Sequence, residues 1–192
     1  MKTANDVLKK LKDDDVKYVD FRFTDPRGKW QHMTYDVTMV DDSMFTDGIM
    51  FDGSSIAGWK AINESDMVLM PDAASATMDP FFAASTMVIN CDIHEPSTGQ
   101  PYSRDPRGIA KAAEAYVKST GVGDTVYVGP EAEFFVFDDV KFAADMYNTG
   151  FKLDHSELPT NGMTASEGGN MGHRIQVKAG YFPVPPLDSA QD

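Results

Sequence analysis

Hydrophobic and polar positions recur with two different periods along this chain, and the changes of period mark out its elements. Val7, Leu8 and Leu11 stand at helical spacing, which predicts a short amphipathic helix over residues 4–12, capped by Asn5 or Asp6. From Tyr18 to Phe23 the period falls to two. Val19, Phe21 and Phe23 share one face there, and Asp20 and Arg22 the other. Asp25-Pro-Arg-Gly28 carries Pro second and Gly fourth, as a type I turn does, so residues 18–35 read as a β-hairpin. Further strands are predicted at residues 66–70 and 86–93. Few helices and several short strands over residues 1–103 point to a small, sheet-centred α+β domain.

A boundary follows at Ser103-Arg-Asp-Pro-Arg-Gly108 and divides the chain into residues 1–103 and 104–192. Asp105 or Ser103 can cap a helix there and Pro106 suits its first turn. Ile109, Ala112, Ala113, Tyr116 and Val117 continue it to Gly121. Residues 125–138 then read as a Val-, Tyr- and Phe-rich strand interrupted by Gly129-Pro130. Alternation puts Glu131 and Glu133 on one face, with Ala132 and Phe134 opposite. A strand apolar on both faces is usually buried, and two carboxylates there need a counter-charge. Hard oxygen donors suit Mg²⁺ or Mn²⁺. The competing reading is a solvated strand end paired with lysines. Residues 139–173 are polar and dotted with glycine, and read as a functional flap or a poorly ordered segment.

Composition narrows the classes. The chain has 192 residues and a net charge of −13, and between Lys29 and Arg104 its only Lys or Arg is Lys60. No basic stripe exists there to track phosphates, so no nucleic-acid partner is expected. Cys91 is the single cysteine, which rules out an internal disulfide and points to a reducing compartment. The first residues lack a signal pattern and no apolar run approaches membrane-spanning length, so a cytoplasmic protein without membrane contact is expected. Residues 187–192 read as the start of a helix, and the chain is expected to be incomplete.

Two polar stretches carry candidate chemistry besides the glutamates. Met50-Phe-Asp-Gly-Ser-Ser-Ile-Ala-Gly-Trp59 is a Gly/Ser loop with one carboxylate and two hydroxyls, and aromatics at both ends can anchor it. Acceptors so clustered suit ammonium or a proton taken from it; an ordinary Asx turn is the alternative. Glu167-Gly-Gly-Asn-Met-Gly-His-Arg174 offers close backbone approach to a ligand, or a hinge.

These stretches, with Gly129-Pro-Glu-Ala-Glu-Phe-Phe135 and Tyr181-Phe-Pro-Val-Pro-Pro-Leu-Asp-Ser-Ala-Gln-Asp192, resemble the amino-terminal part of type I glutamine synthetases. The resemblance runs over the whole chain, four motifs in order, with Ala179 standing where the family has glycine. It implies a small β-grasp domain followed by the beginning of a larger α+β catalytic domain. It also implies ATP-dependent formation of glutamine from glutamate and ammonium through a γ-glutamyl phosphate, with Mg²⁺ or Mn²⁺ bound. Glu131 and Glu133 match the metal-ligating strand carboxylates. Asp52 and Ser55 match the loop that binds and deprotonates ammonium, and Tyr181 a tyrosine of the same site. A dodecamer is implied, with the Asp52 loop completing a neighbour's site. The nucleotide-binding and glutamate-binding residues are expected beyond residue 192, so these 192 residues alone are expected to be inactive. A related γ-glutamyl–amine ligase and a non-catalytic β-grasp interaction module are the alternatives. The ammonium-suited loop speaks against the first, and the retained Asp52, Glu131 and Glu133 against the second.

Overall fold

The structure, a computed structural model, describes residues 3–134, 137 and 139–154. Helix α1 (Ala4–Asp13) starts on a capping box in which Thr3, rather than Asn5 or Asp6, is the cap. The Thr3 hydroxyl accepts from the Asp6 N–H, and the Asp6 carboxylate accepts from the Thr3 N–H. Its inner face sends Val7 and Leu11 into the core. Strands β1 (Tyr18–Thr24) and β2 (Trp30–Asp36) form the expected hairpin, closed where the Gly28 N–H donates to the Asp25 carbonyl at 3.0 Å.

After a short helical turn α2 (Ser43–Thr46), strands β3 (Ile49–Asp52), β4 (Asp66–Pro71), β5 (Thr77–Met78) and β6 (Thr86–His94) complete one sheet. The order is β2-β1-β6-β4-β3, with β5 alongside β6. The β1–β6 pair is parallel and the others antiparallel. Strand β6 pairs with β1 along one edge and with β5 and then β4 along the other, and its first four residues are all buried, in keeping with its largely apolar sequence. Phe21, Met67, Leu69, Met87, Ile89 and Ile93 fill the centre of the core. This is an α+β domain built on a curled mixed sheet.

Asp20, expected on the polar face of β1, is 1% exposed. Burial alone would raise its carboxyl, but hydrogen bonds from Thr34, His32 and Arg22 hold it below the usual range. Arg22 also reaches Asp79 at 3.0 Å and lies over the Trp30 ring.

Helix α3 (Pro106–Thr120) has Asp105 as its cap and ends at Gly121 with φ +70°. None of its residues is buried: Ile109 and Tyr116 face outward, so its expected apolar face is not covered among the described residues. The strand expected over 125–138 is not formed in the described part. Residues 125–134 carry no strand, and Tyr127 and Phe134 are exposed. β-propensity is satisfied only when a neighbour supplies a ladder, and none does so among the described residues.

The segment read as a flap instead begins with a hairpin, β7 (Asp139–Ala144) and β8 (Thr149–Asp154), with Phe142 opposite Phe151. The Asp145 carboxylate accepts from the Tyr147 and Asn148 N–H groups and closes its turn. The signal was present: short alternating runs flank Asp145-Met-Tyr-Asn148, and Asp and Asn are turn formers.

Candidate functional site

The loop over residues 52–60 is built from a strand end. Ile49–Asp52, of which residues 50–52 read as part of the loop, pair with β4 as strand β3, with Asp52 opposite Asp66. Backbone pairing then stops and the Asp52 side chain takes over. Its Oδ1 accepts from the Ser54 N–H at 2.8 Å and from the Ser54 hydroxyl at 2.6 Å, capping the turn Gly53–Ser55. Those bonds, the hydroxyl's foremost, hold the Asp52 carboxyl below the usual carboxylate range, so it is ionised at neutral pH. Oδ2 has no hydrogen-bond partner among the described residues, and the side chain is exposed. The Asx turn therefore consumes one oxygen and leaves the other for a ligand.

Local packing sets the loop's path. Gly53 is buried against β4: a Cβ there would stand 2.3 Å from the Met67 sulfur, and the Gly53 N–H donates to the Ser65 carbonyl at 2.7 Å. Gly58 turns the chain at φ +89°. The aromatics anchor both ends as expected. Phe51 and Trp59 pack on Phe23 at ring separations of 5.2 and 5.6 Å, and Tyr102 meets the Trp59 ring edge-on at 5.7 Å. Ser55 is exposed on the loop surface; Ser54, unremarked in the sequence, makes both bonds to Asp52. The Asp-x-Ser spacing of an Asx turn was the signal for it.

Glu131 and Glu133 are exposed, and neither has a hydrogen bond or ion pair among the described residues. In place of the expected buried strand the described part is an exposed segment without strand pairing, and no lysine pairs with either carboxylate among the described residues. Among the described residues no group of three His, Cys, Asp or Glu side chains is placed to hold a metal ion. Two adjacent, unpaired carboxylates fit part of a hard-cation donor set, and Mg²⁺ or Mn²⁺ takes more oxygens than they supply. Tyr181, the Glu167–Arg174 motif and the run from Tyr181 to Asp192 lie outside the described residues. Among the described residues no helix is long and apolar enough to cross a membrane.

Comparison with known proteins gives one answer along the chain. Residues 15–96 match the family model "Glutamine synthetase, beta-Grasp domain", and residues 103–192 match "Glutamine synthetase, catalytic domain". Glutamine synthetases of Bradyrhizobium diazoefficiens and Azorhizobium caulinodans are 74% and 71% identical over all 192 residues, which make up 41% of each relative. Among solved structures, a cryo-EM Plasmodium falciparum glutamine synthetase superposes with a TM-score of 0.77 at 26% identity, covering the whole chain and 38% of that one. The chain thus spans about two fifths of the length of the relatives it matches.

Proposed function

Because this chain belongs to the glutamine synthetase family, with a β-grasp domain and the beginning of a catalytic domain, we propose that the protein joins ammonia to glutamate at the expense of ATP. The observation that carries this reading is the Asp52 turn. It presents an ionised, exposed carboxylate with one oxygen uncommitted, on a loop anchored at both ends. ATP phosphorylates the γ-carboxylate of glutamate and leaves as ADP. Ammonia then attacks the acyl phosphate carbon, and phosphate departs with the C–O bonding pair.

Asp52 serves that second step in two ways. Its charge holds ammonium beside the acyl phosphate, and its free oxygen accepts the proton that ammonium must lose before its nitrogen has a lone pair to attack the carbonyl carbon. A carboxylate held below its usual range is a weak base, so positioning the cation is the larger part of its role. Ser55, exposed beside it, and Tyr181 complete the ammonium site. Glu131 and Glu133 would hold Mg²⁺ or Mn²⁺, which when bound neutralises phosphate charge. The remaining parts of the proposal are the division at 103/104, assembly into a dodecamer and a cytoplasmic location. The last is supported by the free, buried Cys91, whose thiol is pushed up by burial.

The test is Asp52→Asn in the full-length enzyme, assayed with ammonium and with hydroxylamine, a neutral nucleophile near pH 7. Loss of a general base costs about 10²–10⁴-fold, so activity with ammonium should fall far more than with hydroxylamine. Equal, small losses would leave Asp52 as a turn cap alone. A preference for larger amines over ammonium in the wild type would favour a γ-glutamyl–amine ligase.

A further inference from the structure

The residues that hold the Asp52 loop from outside lie far away in sequence, in the segment leading into α3. The Tyr102 hydroxyl donates to the Trp59 carbonyl at 3.0 Å, and Arg104 Nη1 donates to the Gly58 carbonyl at 2.6 Å. These are adjacent peptide carbonyls at the far end of the loop, where Gly58 has a positive φ. The side chain of the next residue is held as well, since the Lys60 ammonium pairs with Glu95 at 2.7 Å and lies over the Tyr102 ring.

The clamp itself is fixed. Tyr102 is 7% exposed, and its N–H donates to the Ile93 carbonyl at 2.8 Å. Asp105, 1% exposed, accepts from the Ile93 N–H and from the Arg107 and Gly108 N–H groups of the first turn of α3. Arg107 in turn bonds Asp92 at 2.8 Å and pairs with Asp72. The end of β6, the start of α3 and the far end of the loop therefore form one hydrogen-bonded knot. The Asx turn at Asp52 does not itself reach residues 57–60, so the far end of the loop is held by this knot together with the packing of Trp59 on Phe23.

We propose that Tyr102 and Arg104 are positioning residues for ammonium use, acting through the Gly58 and Trp59 carbonyls on the loop that carries Asp52. The inference rests on the reading of Asp52 as the ammonium carboxylate. Removing one such bond without leaving a buried donor should cost about 2- to 10-fold, appearing in the KM for ammonium while the KM values for ATP and glutamate stay unchanged.

The experiment uses the full-length enzyme and the variants Tyr102→Phe, Arg104→Met, Arg104→Lys and Asp52→Asn. Steady-state kinetics are measured with ammonium and with hydroxylamine, and amide hydrogen exchange is followed over residues 53–60. Tyr102→Phe and Arg104→Met should each raise the ammonium KM and speed exchange at Ile56 and Trp59. Arg104→Lys, which keeps a donor, should recover most of both. Unchanged exchange in both variants overturns the proposal, whatever Asp52 does. Faster exchange with equal losses for both nucleophiles also overturns it, leaving the pair a merely structural role. If Asp52→Asn itself shows no preference between nucleophiles, the reading of Asp52 fails, and the positioning role for ammonium falls with it.

Discussion

The Asp52 loop and the Glu131–Glu133 segment each set carboxylates among aromatic residues, yet they end in opposite states. Phe51 and Trp59 are packed on Phe23, with Trp59 only 5% exposed, whereas Phe134 is 80% exposed and its neighbouring glutamates have no partner among the described residues. In the first region short-range chemistry closes a turn, since Asp52 bonds a residue two positions on, and a core is already waiting for its aromatics. In the second, everything the sequence asks for is long-range. An extended segment is a strand only when another strand meets it, and aromatic side chains are a core only when something covers them.

The strongest way to break that contrast is to cut an anchor. Trp59→Ala should destabilise the fold by about 3–5 kcal/mol, as loss of a large buried aromatic does. Phe134→Ala should stay within about 0.5 kcal/mol, as exposed sites do. Urea unfolding midpoints of the two variants make the comparison, and similar losses would show that residue 134 is buried after all.

A smaller effect follows from adding rather than removing atoms. Gly53→Ala places a methyl group 2.3 Å from the Met67 sulfur, and overpacking of this kind costs about 1–3 kcal/mol. A double variant that shortens Met67 to Ala should recover less than the Gly53 loss alone, because the cavity left has its own cost. Wild-type stability in Gly53→Ala alone would mean that the loop does not press on β4.

Acid should loosen the first region by removing charges that the fold holds ionised. Asp20 is held below the ordinary carboxylate range, as are Asp52 and Asp79. The native state therefore binds fewer protons than the unfolded chain near pH 4. Stability from these groups is present above the unfolded value of about 3.8 and is lost as pH falls through the depressed native values. Asp105, which burial pushes up despite three backbone donors, has the opposite sign. Its contribution is greatest below the unfolded value and declines as pH rises through its native one. Unfolding midpoints between pH 7 and pH 3 should fall with acid, and Asp20→Asn should flatten part of that slope. An unchanged slope would remove Asp20 as a source of it.

The smallest structural effect is expected where the proposed metal ligands stand. Glu131→Ala and Glu133→Ala should leave stability without metal within about 0.5 kcal/mol, because both side chains are exposed and neither has a partner among the described residues. In the full-length enzyme the same variants should bind Mg²⁺ or Mn²⁺ more weakly by calorimetry. Wild-type affinity in both would take them out of the metal site.

Sequence by itself determined the elements whose signals lie within a few residues. The helix after Thr3, the hairpin around Asp25–Gly28, strand β6 and the Asp105 cap with Gly121 at the far end of α3 all follow from local spacing, turn chemistry and caps. The Asx turn at Asp52 belongs with them, since its donor is two residues away. Tertiary structure alone decided which strands became neighbours. The parallel β1–β6 pair joins residues more than sixty positions apart, and folding buried Asp20, whose bonds come from Arg22 and, across the β1–β2 hairpin, from His32 and Thr34. It likewise decided that residues 49–52 form a strand while 125–134 do not, and that Tyr102 bonds the carbonyl of a residue 43 positions earlier. The physical reason is the reach of the interactions. A cap or turn is completed by atoms the local chain already carries, whereas a ladder or a buried charge is completed only by partners that folding brings from elsewhere.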